Sequence, residues 1–130
     1  MISEDEARAW IEAYGRAWTT QDPNKIVRLF TKDATYRERR FHPGVAGIES
    51  IREYWDLIVF ELQREVGFET ISVAVSGDDA YINWRAHFTW RPINGVMELD
   101  AVSRAHFSAE SLDGIRLVTR FEEWIDHREA

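Results

Sequence analysis

Between residues 68 and 125 the chain passes through four strand-length stretches, 68–75, 80–91, 96–107 and 115–125, punctuated by Ser76-Gly77-Asp78, Asn94-Gly95 and Leu112-Asp113-Gly114. Connections this short leave no room for crossover helices, so each stretch has to lie antiparallel to the one before it. Helix-like stretches come first. A chain with its helices grouped ahead of a strand meander is an α+β domain. The expected shape is a cone, in which three N-terminal helices pack on the concave face of a curved antiparallel sheet.

The helical stretches carry their own punctuation. Ser3-Glu4-Asp5-Glu6 is a capping box, and Ala7, Trp10, Ile11, Tyr14, Ala17 and Trp18 follow at three- and four-residue spacing, which puts Tyr14 on the inward face. Asp22-Pro23 reads as an N-cap and first helical residue of a brief second helix with Ile26, Leu29 and Phe30 on its apolar side. Asp33-Ala34-Thr35-Tyr36-Arg37-Glu38 is a strand-like run that delivers the Glu38 carboxylate to the mouth or wall of the cone. After a Pro43-Gly44 loop, Ile48, Ile51, Trp55, Ile58, Leu62 and Val66 predict a long third helix, ended by Gly67.

Turn chemistry gives an expected register. A two-residue turn at Asn94-Gly95 places Phe88 opposite Ala101, Ala86 opposite Ser103, Trp84 opposite Ala105 and Ile82 opposite Phe107 on one face. Arg91–Glu98, Thr89–Asp100 and His87–Val102 pairs then occupy the other. The large-against-small pairs either nest helix side chains or leave space for a ligand. A three-residue loop of Leu112, Asp113 and Gly114 sets Ser103 against Glu123 and Ala105 against Phe121 inside, with Arg104 against Glu122 outside. Glu123 becomes a second inward acid. Val102 opposite Trp124 makes an apolar patch on the outer face, either a homodimer contact or a surface covered by the chain's own C-terminal residues.

The 130 residues suit one domain, and 45 % hydrophobic content with six Trp supplies a core. A formal charge of −7 disfavours nucleic acid, which requires clustered cations. The local exception, Arg37, Arg39 and Arg40, reads as solvated positions flanking a strand. There is no Cys, hence no thiolate nucleophile, disulfide framework or Cys-based zinc site. His42, His87, His106 and His127 are scattered without metal-ligand spacing, and no phosphate loop, nucleophile elbow or dinucleotide fingerprint occurs, so the expectation is no metal and no cofactor. No apolar run approaches a membrane span and residues 1–5 lack a signal-peptide layout; the expected location is cytoplasmic, without membrane contact.

Tyr14, the Asp22 cap, Leu29-Phe30, the Asp33 to Glu38 run, Gly47-Ile48 with Ile51 and Tyr54-Trp55, and the long final strands together resemble the nuclear transport factor 2-like superfamily, and among it the SnoaL-like and ketosteroid isomerase-like members. The resemblance spans nearly the whole chain and lies in the order of loose motifs. It implies the cone fold, usual dimerisation and a deep pocket between helices and sheet. It also implies, from the isomerases, that Tyr14 donates a hydrogen bond to an enolate oxygen and that Glu38 shuttles the proton. Those enzymes add a protonated acid beside the tyrosine from a later strand; Ser103 falls nearest that place here, and Asp100 points outward.

A carboxyl group in an aromatic cavity has its charged form disfavoured, which moves it toward the range useful for carrying a carbon-bound proton. Glu38 is the first candidate, and its alternative is an ion pair with Arg37, Arg39 or Arg40. Tyr14 either donates to a ligand oxygen or bonds a backbone carbonyl. Tyr36, Trp55, Trp84, Phe88, Ser103, Phe121 and Glu123 are the expected ligand contacts, although aromatics at these periods also serve as core. The expected function is a cofactor-independent isomerase, cyclase or lyase acting on a small apolar or aromatic, ring-containing molecule. The alternative is a non-catalytic ligand-binding or dimeric scaffold domain of the same fold.

Overall fold

The computed structural model describes residues 1–38 and 41–130, so the expectation for Arg39 and Arg40 lies outside the described residues. In chain order the elements are α1 (Glu4–Thr19), α2 (Pro23–Val27), β1 (Phe30–Arg37), β2 (Val45–Ala46), α3 (Ile48–Tyr54) with a π-helical turn (Trp55–Phe60), β3 (Gln63–Ser76), β4 (Asp79–Trp90), β5 (Gly95–Leu112) and β6 (Ile115–Glu129). They form a six-stranded sheet in the order β2-β1-β6-β5-β4-β3. The meander from β3 to β6 is antiparallel as expected, but β1 joins β6 in parallel, pairing Tyr36 with Phe121 and Arg37 with Glu122. No helix among the described residues is long and apolar enough to cross a membrane.

Helix α1 starts at the capping box, where the Ser3 hydroxyl accepts from the Glu6 N–H and Glu6 accepts from the Ser3 N–H, both at 3.0 Å. Its apolar stripe of Trp10, Ile11, Tyr14, Ala17 and Trp18 is buried against the sheet. The Trp10 indole N–H donates to the Leu29 carbonyl at 2.9 Å, which ties the helix to the start of β1. Gly15 brings α1 close to β3: a Cβ there would sit 2.4 Å from Phe68 Cδ1.

Two expectations fail locally. The third helix stops at Phe60, with β3 running from Gln63, so Leu62 and Val66 are not helical. The backbone of Gln63 and Arg64 pairs with Trp90 and Thr89 of β4, and Glu65 takes a left-handed φ of 55° at the bulge that follows. Gly67 therefore ends no helix. It makes room for the His87 ring, whose Nε2 would lie 2.1 Å from an added Cβ.

The β4–β5 register is shifted as well. The connection is the four residues Arg91 to Asn94, and Trp90 pairs with Gly95. Pro92 has no N–H to give to a ladder, and its fixed φ favours a turn. Asn94 then takes the left-handed φ of 48°. Phe88 consequently faces Met97, Ala86 faces Leu99, Trp84 faces Ala101 and Ile82 faces Ser103, while His87 meets Glu98 and Arg85 meets Asp100. The displacement is even, so every side chain keeps its expected face. Between β5 and β6 the expected pairs Ser103–Glu123, Ala105–Phe121, Arg104–Glu122 and Val102–Trp124 all form. The turn there is Asp113-Gly114, one residue tighter than expected, and irregularities between His106 and Ser111 restore the register.

Replacing Gly15 with Ala gains about 1 kcal/mol of helix propensity, but the overpacking against Phe68 costs about 1–3 kcal/mol. Gly15→Ala is therefore expected to unfold at lower urea concentration, and Gly15→Ala/Phe68→Leu to recover part of the loss. A single variant as stable as the parent would show that the Phe68 ring yields freely.

Candidate functional site

The polar centre of the cone is assembled from three distant segments. Tyr14 on α1, Tyr36 on β1 and Glu123 on β6 all turn inward because each lies on the buried face of its element, and all are at most 4 % exposed. The Tyr36 hydroxyl donates to Glu123 Oε1 at 2.8 Å, Tyr14 approaches the same oxygen at 3.5 Å, and the two phenol oxygens lie 3.3 Å apart. Aromatic rings enclose them. Phe121 stacks on Tyr36 with centroids 5.5 Å apart, and Trp10 stacks on Tyr14 at 5.3 Å.

Burial, and then the charge of nearby Glu38, push the Glu123 carboxyl up to about 8, against the hydrogen bonds from Tyr36 and Tyr14 that pull it down. Burial first, and Glu123 second, hold both phenols well above the ordinary tyrosine range. At neutral pH the cluster is thus an un-ionised acid held by two un-ionised phenols.

Glu38 sits just past the end of β1, half-buried, and accepts a hydrogen bond from the Tyr54 hydroxyl at the end of α3. A hollow of about 390 Å³ opens beside this pair, walled mostly by apolar side chains including Ile58, Phe88, Trp90, Leu99 and Ile125, with Gln63 and His127 as further polar residues. A smaller hollow of about 140 Å³, lined by Tyr36, His42, Gly44 and Val45, touches the same Glu38 and Tyr54. The Glu38–Tyr54 hydrogen bond therefore belongs to the wall between two spaces.

Of the residues expected to meet a ligand, Glu38 and Phe88 line the larger hollow and Tyr36 the smaller one. Tyr14, Trp55, Trp84, Ser103, Phe121 and Glu123 are packed in the core. Trp84 donates to the Ser103 hydroxyl at 2.8 Å, an arrangement that satisfies both side chains internally. The acid beside Tyr14 is Glu123, so Ser103 does not occupy that place. His87 and Asp100 stand exposed on the outer face as expected. Glu122 is buried there between Arg37 and Arg104, with its carboxylate accepting from Arg104 Nε at 3.0 Å.

Two polar residues of the site, Tyr54 and Gln63, are not among the site residues expected from the sequence, although Tyr54 belongs to one of the motifs that carry the resemblance. Tyr54 stands in a helix whose apolar periodicity points to its neighbour Trp55. Gln63 falls within the span that periodicity predicts as the third helix but belongs to β3, where pairing with Trp90 puts it on the inner face. Among the described residues, no group of three His, Cys, Asp or Glu is placed to hold a metal ion.

The SnoaL-like domain model matches residues 8–120, and the chain belongs to that family. Similar solved structures include the epoxide hydrolase/cyclase-like enzyme of pyran-ring formation in the polyether salinomycin, at 19 % identity and TM-score 0.80 over 97 % of this chain and 95 % of that one. A protein of ketosteroid isomerase-like fold from Catenulispora acidiphila, in complex with trimethylamine, is 17 % identical with a TM-score of 0.75 over 88 % and 83 %. A hexachlorocyclohexane dehydrochlorinase is 13 % identical with a TM-score of 0.74 over 98 % and 93 %. At these identities the likeness is one of fold. No curated protein matches the sequence.

The raised Glu123 carboxyl has a consequence for stability. Its proton is held more tightly in the folded chain than at the ordinary value of 4.5, so its contribution is complete below that value and is lost as pH rises toward about 8. At about 1.4 kcal/mol for each pH unit across that window, the loss amounts to roughly a few kcal/mol. Glu123→Gln, which carries no titrating proton, is expected to lose less stability between pH 5 and pH 8 than the parent chain. Parallel denaturation curves for the two proteins across that window would show that Glu123 ionises freely.

Proposed function

We propose that this SnoaL-like protein is a cofactor-independent isomerase, cyclase or lyase that moves a proton on a small, ring-containing, largely apolar molecule, with Glu38 as the proton carrier. The observation that carries the reading is the position of Glu38. It is a half-buried carboxylate on the wall of an otherwise mainly apolar 390 Å³ hollow, oriented by the Tyr54 hydroxyl. A positioned carboxyl group on a largely apolar wall suits general acid–base chemistry at carbon. The raised Glu123 carboxyl supports the assignment, because the charge of Glu38 is the second cause of that rise after burial, which puts the two acids within electrostatic reach of one another.

Tyr14 takes a different part from the one the resemblance implies. Its hydroxyl faces Tyr36 and Glu123, so in this reading it steadies the buried acid from behind the wall. The proposed assembly is a homodimer through the outer sheet face, where Val102 and Trp124 pair and remain 41 % and 42 % exposed.

One observation favours a second reading, a non-catalytic ligand-binding or scaffold domain. Trp55 and Trp84 fill the depth of the cone, with Trp18 edge-on to both at 5.8 and 5.5 Å, so the open space is confined to the mouth.

Ring ketones and related apolar molecules incubated with the protein in deuterium oxide separate these readings, since proton carriage exchanges ligand C–H for C–D. Glu38→Gln is expected to retain binding and to lose exchange by at least about a hundredfold. Exchange at the parental rate would remove Glu38 from the reaction, and binding without exchange by the parent chain would establish the second reading. For assembly, Val102→Glu is expected to sediment as a monomer while the parent sediments as a dimer; a monomeric parent at micromolar concentration would exclude that contact.

A further inference from the structure

The hollow beside Glu38 is lined by a residue whose side-chain donor no described residue accepts from. Gln63 is 7 % exposed and lines the hollow. Its side-chain orientation is dictated by chemistry: the indole N–H of Trp18 can only donate, and it lies 2.8 Å from Gln63 Oε1, so the amide carbonyl is committed to Trp18. The backbone carbonyl of Gln63 is engaged as well, accepting from Gln21 Nε2 at 2.6 Å. This double attachment to α1 and its following turn holds the residue rigid. Among the described residues nothing accepts from Gln63 Nε2, and that atom is not sealed away from open space. Trp55 Nε1, by contrast, lacks an acceptor among the described residues but is shut inside the core.

We propose that Gln63 Nε2 is the site's donor to a ligand oxygen, so that the molecules bound here are apolar rings bearing a carbonyl or similar acceptor, held between Gln63 and Glu38. This inference rests on the reading of the hollow as a ligand site. The donor that family resemblance places on Tyr14 is closed off here, and Gln63 is a neutral donor, pre-oriented by Trp18, on the same hollow as the proton carrier. In an isomerisation, Glu38 takes a proton from the carbon next to the carbonyl, the C–H electron pair moves onto the carbonyl oxygen, and Gln63 stabilises the charge that develops. Where the ring also carries a C=C bond beyond that carbon, the anion is a dienolate: the carbonyl re-forms, the C=C bond shifts into conjugation with it, and Glu38 returns the proton to the far alkene carbon, so that protons and electrons balance without a co-reactant.

The test compares 1-tetralone with tetralin, the same bicyclic skeleton without the oxygen. Binding to the parent chain is followed by tryptophan fluorescence and by the ¹H–¹⁵N signals of the glutamine side-chain amides, with the Gln63 signal assigned by its loss in Gln63→Met. The expected results are a shift of the Gln63 amide signal with tetralone and little with tetralin. In Gln63→Met, tetralone affinity is expected to fall about three- to tenfold with tetralin affinity unchanged. Gln63→Glu, which retains an acceptor for Trp18, covers the case of a Met variant that folds poorly, and the same selective loss is expected at a pH where the new carboxyl is ionised. If both molecules bind and shift the Gln63 amide equally, or if the variants weaken both equally, Gln63 is not the donor while the ligand site stands. If neither binds the parent chain, the ligand-site reading fails and the donor assignment falls with it.

Discussion

The structure depends on keeping one carboxyl group dry. Glu123 lies 2 % exposed among aromatic rings, and the groups that hydrogen-bond to it are two phenols brought from α1 and β1. A buried acid without such donors costs far more than one with them. The cluster therefore cross-links helix, first strand and last strand at one point, and the aromatic packing around it makes the inner end of the cone solid. The hollow beside Glu38 lies toward the mouth, lined from the end of α3, the end of β4, the start of β5 and β6. The division into a closed polar centre and an open apolar mouth follows from where the large rings are placed.

The polar groups at the mouth borrow rigidity from that centre. Glu38 directly follows β1, the strand that carries Tyr36, and β1 is held by its ladder with β6. Gln63 begins β3 and is fastened to α1 through Trp18 and to the following turn through Gln21. Each of these polar groups is thus anchored by an element that the aromatic core has already positioned.

Much of this is legible in the sequence, for identifiable reasons. The capping box, the three- and four-residue spacing of the α1 stripe and the strand alternation are local signals, and they place Tyr14 and Glu123 on inward faces. The β5–β6 register follows correctly from a turn one residue too long, because a compensating irregularity lies beyond the turn. The β4–β5 register does not, because Asn94-Gly95 signals a two-residue turn where Pro92, two residues earlier, has already ended the ladder. Parity survives that difference, so Phe88 keeps its face, but it stands opposite Met97 rather than Ala101. Gln63 is illegible for a tertiary reason: helical periodicity extends through Leu62 and Val66, and only pairing with β4 pulls that segment into the sheet. The parallel join of β1 to β6 likewise leaves no local trace.

That parallel join has a bearing on how the chain assembles. Apart from the short pairing of Thr35 and Tyr36 with β2, residues 30–37 find their partner in residues 118–122, the greatest sequence separation of any ladder in the sheet. Contacts this remote bear a large loop-closure entropy and are slow to form. On a ribosome, the first strand and the acid that follows it would emerge well before their neighbour exists, while the later hairpins are still unsynthesised. The wall that carries Glu38 is then among the last parts of the molecule to acquire its shape, and a nascent chain truncated before residue 118 would lack the strand that supports its inner side.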